Sequence, residues 1–110
     1  MMKRFFLAKG NVQGVMFRQT VIRAAQKRRL EAAASNLADG TVSCFLSGST
    51  ESVEQILDGL RAGTEINSWG ARVEDLVLLE AQDGISFEEH QVTTANVDSF
   101  RWSSGVDMFL

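Results

Sequence analysis

Gly10-Asn11-Val12-Gln13-Gly14-Val15-Met16-Phe17-Arg18 is the stretch that decides the fold. Before it, Phe5 to Ala8 form an apolar run too short for a helix, which reads as a buried strand. After it the period changes. Phe17, Val21, Ala24 and Ala25 recur at helical spacing, with Gln19, Arg23, Gln26 and Lys27 between them. The stretch is therefore a turn from a strand into a helix. Its glycines let the backbone take positive φ and point successive N–H groups into one concavity, to which the unpaired amides of the helix start add. A glycine turn alone says little about a ligand. Arg18 adds to it, because a cation in the first helical turn is opposed by the helix dipole by roughly 0.3–1 kcal/mol. A guanidinium there makes sense when an anion sits between it and the amides.

Working outward, the helix runs to about Arg29, where Lys27, Arg28 and Arg29 suit the negative pole. Ala32, Ala34 and Asn36 alternate with Glu31, Ala33 and Ser35, and Asp39-Gly40 signals a hairpin. Val42, Cys44 and Leu46 form the returning strand, with Phe45 interrupting its serine and threonine face. Ser49 and Thr50 offer an N-cap with Glu51 in the first turn. Val53, Ile56, Leu57 and Leu60 then give the clearest helical stripe, stopped at Gly63. Gly59 within it costs about 1 kcal/mol relative to alanine. A loop through Trp69-Gly70 leads to a strand over 71–80, where Val73 and then Leu76 and Leu78 change phase and predict a bulge. A further short strand is a candidate around Ile85-Ser86-Phe87.

The order β-α-β-β-α-β predicts an α+β, ferredoxin-like sandwich, a four- to five-stranded antiparallel sheet with two helices on one face. Residues 1–89 would form this domain and residues 90–110 a C-terminal extension that does not fit the pattern. That extension is polar from His90 to Asp98 and apolar at Phe100, Trp102, Val106, Met108, Phe109 and Leu110. It is open to three readings: a frayed tail, a cover for a sheet edge, or a contact with another subunit.

Topology brings a second residue to the turn. The first and second strands both run up towards the same end of the molecule, so Asn36, at the end of the second, lies near the loop. In this fold one strand separates them, a gap of roughly 10 Å. The gap suits a phosphoryl group and one water, which the Asn36 amide could aim. The alternative for Asn36 is to open the turn before Asp39-Gly40.

Composition narrows the classes. A net charge of -3 argues against a general nucleic-acid binder. Cys44 is the single cysteine, so no internal disulfide can form, and its phase with Val42 and Leu46 makes it a core residue. His90 is the single histidine, which leaves too few soft ligands for a transition-metal cluster. No metal and no cofactor are expected. The basic start is followed by too short an apolar run for a signal peptide or membrane span, so a cytoplasmic address and no membrane partner are expected. Trp69 and Trp102 read as packing or surface anchors, and Ser103-Ser104 has no basic partner nearby in sequence.

Gly10-x-Val12-Gln13-Gly14-Val15-x-Phe17-Arg18, followed by Ser35-Asn36-x-x-Asp39-Gly40-Thr41-Val42, resembles the signature of the acylphosphatase family, and the likeness covers about residues 4–80. The resemblance implies the ferredoxin-like fold and hydrolysis of the carboxyl-phosphate bond of acyl phosphates without metal or phosphoenzyme. It implies Arg18 as the phosphate-binding arginine and Asn36 as the water-orienting asparagine. The backbone of Val12, Gln13, Gly14, Val15, Met16 and Phe17 would be the phosphate cradle. Four features depart from the family pattern: Met16 replaces a small residue, Ala32 a glycine, the loop before Ala71 is longer and lacks a proline, and after Phe87 the usual short final strand ending in a basic residue is not recognisable. The expected ligands are a small acyl phosphate and, as product or inhibitor, inorganic phosphate. A monomer is expected, with a dimer through the extension as the other arrangement. The competing function is a non-catalytic binding module for phosphate or a carbamoyl-phosphate-like ligand.

Overall fold

A computed structural model describes residues 1–80 and 91–110. The candidate strand around Ile85–Phe87 and His90 fall outside the described residues. The elements are β1 (Met2–Asn11), α1 (Phe17–Lys27), β2 (Glu31–Asn36), β3 (Val42–Gly48), α2 (Thr50–Arg61), β4 (Arg72–Leu79) and β5 (Val92–Thr93), followed by a 3-10 turn at Val97–Ser99. The strands pair antiparallel in the order β4-β1-β3-β2-β5, so β3 does separate β1 from β2. This is the expected ferredoxin-like sandwich, with five strands.

Both helices pack on the sheet through the stripes their spacing predicts. Phe17, Val21, Ala24 and Ala25 of α1 are buried, as are Val53, Ile56, Leu57 and Leu60 of α2. They meet Phe6 and Ala8 of β1, Ala32 and Ala34 of β2, and Val42, Cys44 and Leu46 of β3 in one apolar cluster. The small side chains of α1 and β2 let that helix lie close to the sheet. Ser49 caps α2, its hydroxyl accepting from Ser52 N–H at 3.3 Å. Burial pushes the Cys44 thiol well up from its ordinary value, which keeps it protonated and inert as a core residue. Phe45, out of phase in the sequence, lies opposite Phe5 across the central strand pair, with ring centroids 4.7 Å apart.

Two differences from the expected elements have clear causes. β1 extends well beyond Phe5–Ala8 because it pairs on both sides, and ladder bonds carry Lys3, Arg4 and Lys9 into the strand. Gly10 accordingly belongs to β1 and not to the loop after it. It faces the bulge in β4: Lys9 pairs with Asp75 and Gly10 with Val73, leaving Glu74 as the extra residue. At φ 136, a Cβ on Gly10 would lie 2.7 Å from both Arg72 O and Glu74 N. Gly10 is needed for this close backbone approach.

The extension is not a frayed tail. β5 adds to the edge of β2, with Ala33 opposite Thr93 and Ala34 opposite Val92. The Arg23 guanidinium of α1 donates to Val97 O (3.2 Å) and Phe100 O (3.0 Å) and lies 5.6 Å from the Trp102 ring centroid. The chain then reaches the loop before β4, where Ser68 N–H donates to Asp107 O and Phe109 N–H to Ile66 O, both at 2.9 Å. Leu110 ends against α2, its Cδ1 lying 2.7 Å from where a Gly59 Cβ would be. Gly59 thus makes room for the chain end.

Holding that loop is Asn67, fully buried and bonded at both ends of its amide. Its Nδ2 donates to Val15 O and Thr20 Oγ1, both at 2.9 Å. Its Oδ1 accepts from Trp69 N–H at 3.0 Å and Ala71 N–H at 3.2 Å. Replacing it by alanine strands several buried polar groups. Asn67→Ala is expected to lower stability by about 3 kcal/mol, read as a lower urea midpoint with an unchanged m-value. Gly10→Ala is expected to cost about 2 kcal/mol or more, because backbone on both sides must move. Gly59→Ala, obstructed only by a rotatable leucine methyl, should instead raise stability by about 0.5–1 kcal/mol through helix propensity. Equilibrium denaturation of the two glycine variants checks the opposite signs.

Candidate active site

The turn between β1 and α1 is short and strained. Gly14 sits at φ 77, and Met16, the residue before the helix, adopts φ 61 and ψ 23. A left-handed conformation costs a methionine on the order of 1 kcal/mol. The α1 start has no side-chain cap and no acidic residue in its first turn. Its amides are therefore left without the usual intramolecular partners.

Two tied carbonyls decide which way those amides face. Val15 O is held by Asn67 Nδ2 at 2.9 Å. Met16 O is held by Thr20 N–H at 3.0 Å and by the Thr20 hydroxyl at 2.8 Å. In a planar trans peptide, the N–H points opposite to the preceding C=O. Tying these two carbonyls inward turns the N–H groups of Met16 and Phe17 outward. Beside this loop is a cavity of about 240 Å³ whose lining includes Val12, Gly14, Met16, Phe17, Arg18 and Asn36.

Six of the sequence-predicted residues therefore meet in one cavity. Gln13 and Val15 are used differently. The Gln13 side chain donates to Leu37 O and Thr41 O, both at 2.9 Å, pinning the loop to the hairpin beside Asn36. Asp39 completes that hairpin by accepting from Thr41 Oγ1 (2.6 Å) and N–H (3.0 Å), which holds its carboxyl below the usual range.

Arg18 is half-buried, and desolvation draws its pKa down from the ordinary value. Its Nη1 donates to Gln91 Oε1 at 2.7 Å, a neutral acceptor. Among the described residues it has no carboxylate partner. Asn36, the last residue of β2, presents a buried Oδ1 that has no hydrogen-bond partner among the described residues. A partly desolvated guanidinium without a carboxylate partner among the described residues and a buried orphaned carbonyl oxygen are both costly, and both belong to residues that line this cavity. The cavity can take an anion against Arg18 and the amides, with a proton donor such as water at Asn36.

The residues missed from the sequence are those acting at a distance along the chain. Gln91 meets Arg18 across 73 positions, which no local pattern could foresee. Asn67 makes a local Asx turn onto Trp69 N–H, and that habit is the only signal it carried.

A family model for Acylphosphatase matches residues 4–92. An acylphosphatase of Burkholderia lata is 36% identical over 83 residues, 76% of this chain and 81% of that protein. An acylphosphatase of Alkalilimnicola ehrlichii is 38% identical over 60 residues, 54% of this chain and 67% of that protein. The crystal structure of acylphosphatase from Bacillus subtilis superposes with TM-score 0.61 at 27% identity, over 82% of this chain and 92% of that one. T. kodakarensis HypF matches with TM-score 0.59 at 28% identity, over 73% of this chain and 10% of that one. With the fold, the loop and these matches in agreement, the chain belongs to the acylphosphatase family and is an enzyme that hydrolyses acyl phosphates.

Proposed function

We propose that Arg18 and the loop amides hold the phosphoryl group of an acyl phosphate while Asn36 aims the attacking water. The supporting observation is the meeting, in one cavity, of Arg18, which has no carboxylate partner among the described residues, and Asn36, whose buried Oδ1 has no hydrogen-bond partner among them. Phosphoryl oxygens accept from Arg18 and from the N–H groups of Met16 and Phe17, replacing the solvation that burial removed. The Asn36 side-chain amide hydrogen-bonds the water and turns an oxygen lone pair towards phosphorus.

The water oxygen bonds to phosphorus as the bond between phosphorus and the carboxylate oxygen breaks. The electron pair leaves with the carboxylate, a good leaving group, and a phosphoryl oxygen takes the proton the water loses. Positioning and charge stabilisation then suffice. The competing reading, a phosphate-binding module without turnover, draws on the occurrence of the fold as a tenth of the larger HypF chain.

Phosphate release from acetyl phosphate in EDTA separates them. Wild type is expected to turn over, and Arg18→Ala to lose at least about a thousandfold in kcat/KM together with inhibition by phosphate. Asn36→Ala should lose about 10²–10³-fold in kcat while phosphate still inhibits. Phosphate binding by a wild type that does not turn over would instead select the module.

A further inference from the structure

The loop between α2 and β4 is where the chain departs from the family pattern in length and in lacking a proline. Asn67 sits in that loop and Thr20 on α1. Both side chains are fully buried, and neither is among the residues lining the cavity of Arg18 and Asn36. A substrate held there touches neither of them. Their bonds nevertheless lead to it.

The direction of each bond follows from what its atoms can do. Val15 O is a carbonyl and only accepts, so the Asn67 atom 2.9 Å from it is the amide nitrogen. The second hydrogen of that nitrogen goes to Thr20 Oγ1, also at 2.9 Å, which leaves Asn67 Oδ1 facing Trp69 N–H and Ala71 N–H. Thr20 Oγ1, having accepted from Asn67, gives its own hydrogen to Met16 O at 2.8 Å. One directed chain thus runs from the loop before β4 through Asn67 and Thr20 to the carbonyls of Val15 and Met16. Those two carbonyls share their peptide planes with the N–H groups of Met16 and Phe17. Met16 O has a second bond, from Thr20 N–H at 3.0 Å, so the plane that leans most on Asn67 is the one joining Val15 to Met16.

We propose that Asn67 is a positioning residue for phosphoryl binding. Its two amide hydrogens, one used directly and one through Thr20, keep the Met16 and Phe17 N–H groups turned to the anion. This deepens the reading of the loop as the phosphoryl cradle and rests on it. A side chain 52 positions from Val15 thereby sets the affinity of the site.

The test reads KM for acetyl phosphate and, by calorimetry, the Kd of inorganic phosphate. Neither depends on how much of a preparation is folded. Asn67→Ala is expected to raise both about tenfold, the scale of one charge-assisted bond lost. Asn67→Asp keeps the acceptor for Trp69 and Ala71 but sets a carboxylate oxygen against Val15 O. Burial raises that carboxyl's pKa, so both constants should be raised at about pH 8 and return towards the wild-type values at about pH 5.5, where protonation restores a donor. Thr20→Val is expected to raise the constants about threefold, with Thr20→Ser recovering them. If both Asn67 variants fail to fold, the Thr20 pair decides. Constants equal to wild type in folded variants make Asn67 a purely structural residue and overturn the positioning role alone. Phosphate affinity that survives Arg18→Ala unchanged overturns the phosphoryl cradle, and the positioning role with it.

Discussion

The four hydrogen bonds of the Asn67 side chain are the constraint on which the site depends. One primary amide, wholly buried, is saturated by the loop before β4 on one side and by the turn into α1 on the other. Because peptide planarity couples each carbonyl to the next N–H, fixing two carbonyls fixes two amides. Asn67 holds Val15 O and Thr20 holds Met16 O, so the two together orient the loop amides, and Asn67 also anchors the backbone of Trp69. Gln13 does the corresponding work towards the hairpin, so the loop is held between two partners before any ligand arrives.

The unfavourable features of the molecule concentrate at that loop. Met16 is left-handed, Arg18 opposes the α1 dipole from a desolvated position, and Asn36 buries an unpartnered oxygen. Each works against folding on its own. The well-packed cluster beneath the sheet offsets their cost. Met16 was the loop's departure from the family pattern. Its backbone takes the conformation the turn requires, and its side chain lines the cavity.

The last twenty residues tie these layers together. They extend the sheet edge, lie along α1 through Arg23, bond to the loop that carries Asn67, and end in the space left by Gly59. Val92 and Phe100 line the cavity from this segment and Gln91 accepts from Arg18, so it contributes to the site as well as to packing.

Much of this was legible in the sequence. Periodicity located both helices and their buried faces, because burial selects apolar residues at helical spacing. The order of elements fixed the sheet order, since right-handed crossovers leave few alternatives. The same topology places Asn36 at the end of the sheet where Arg18 lies, and both line one cavity. Gly10 was misread as part of the cradle, because a glycine that admits a bulge and one that opens a turn look alike in a sequence. What only tertiary structure decided was the meeting of distant segments: Asn67 with Val15, Arg18 with Gln91, and Trp69 and Phe100 at one cavity. Local patterns record what a residue does within its own turn or strand. Hydrogen bonds spanning 50 to 70 positions leave no periodic trace, and in this protein they complete the site.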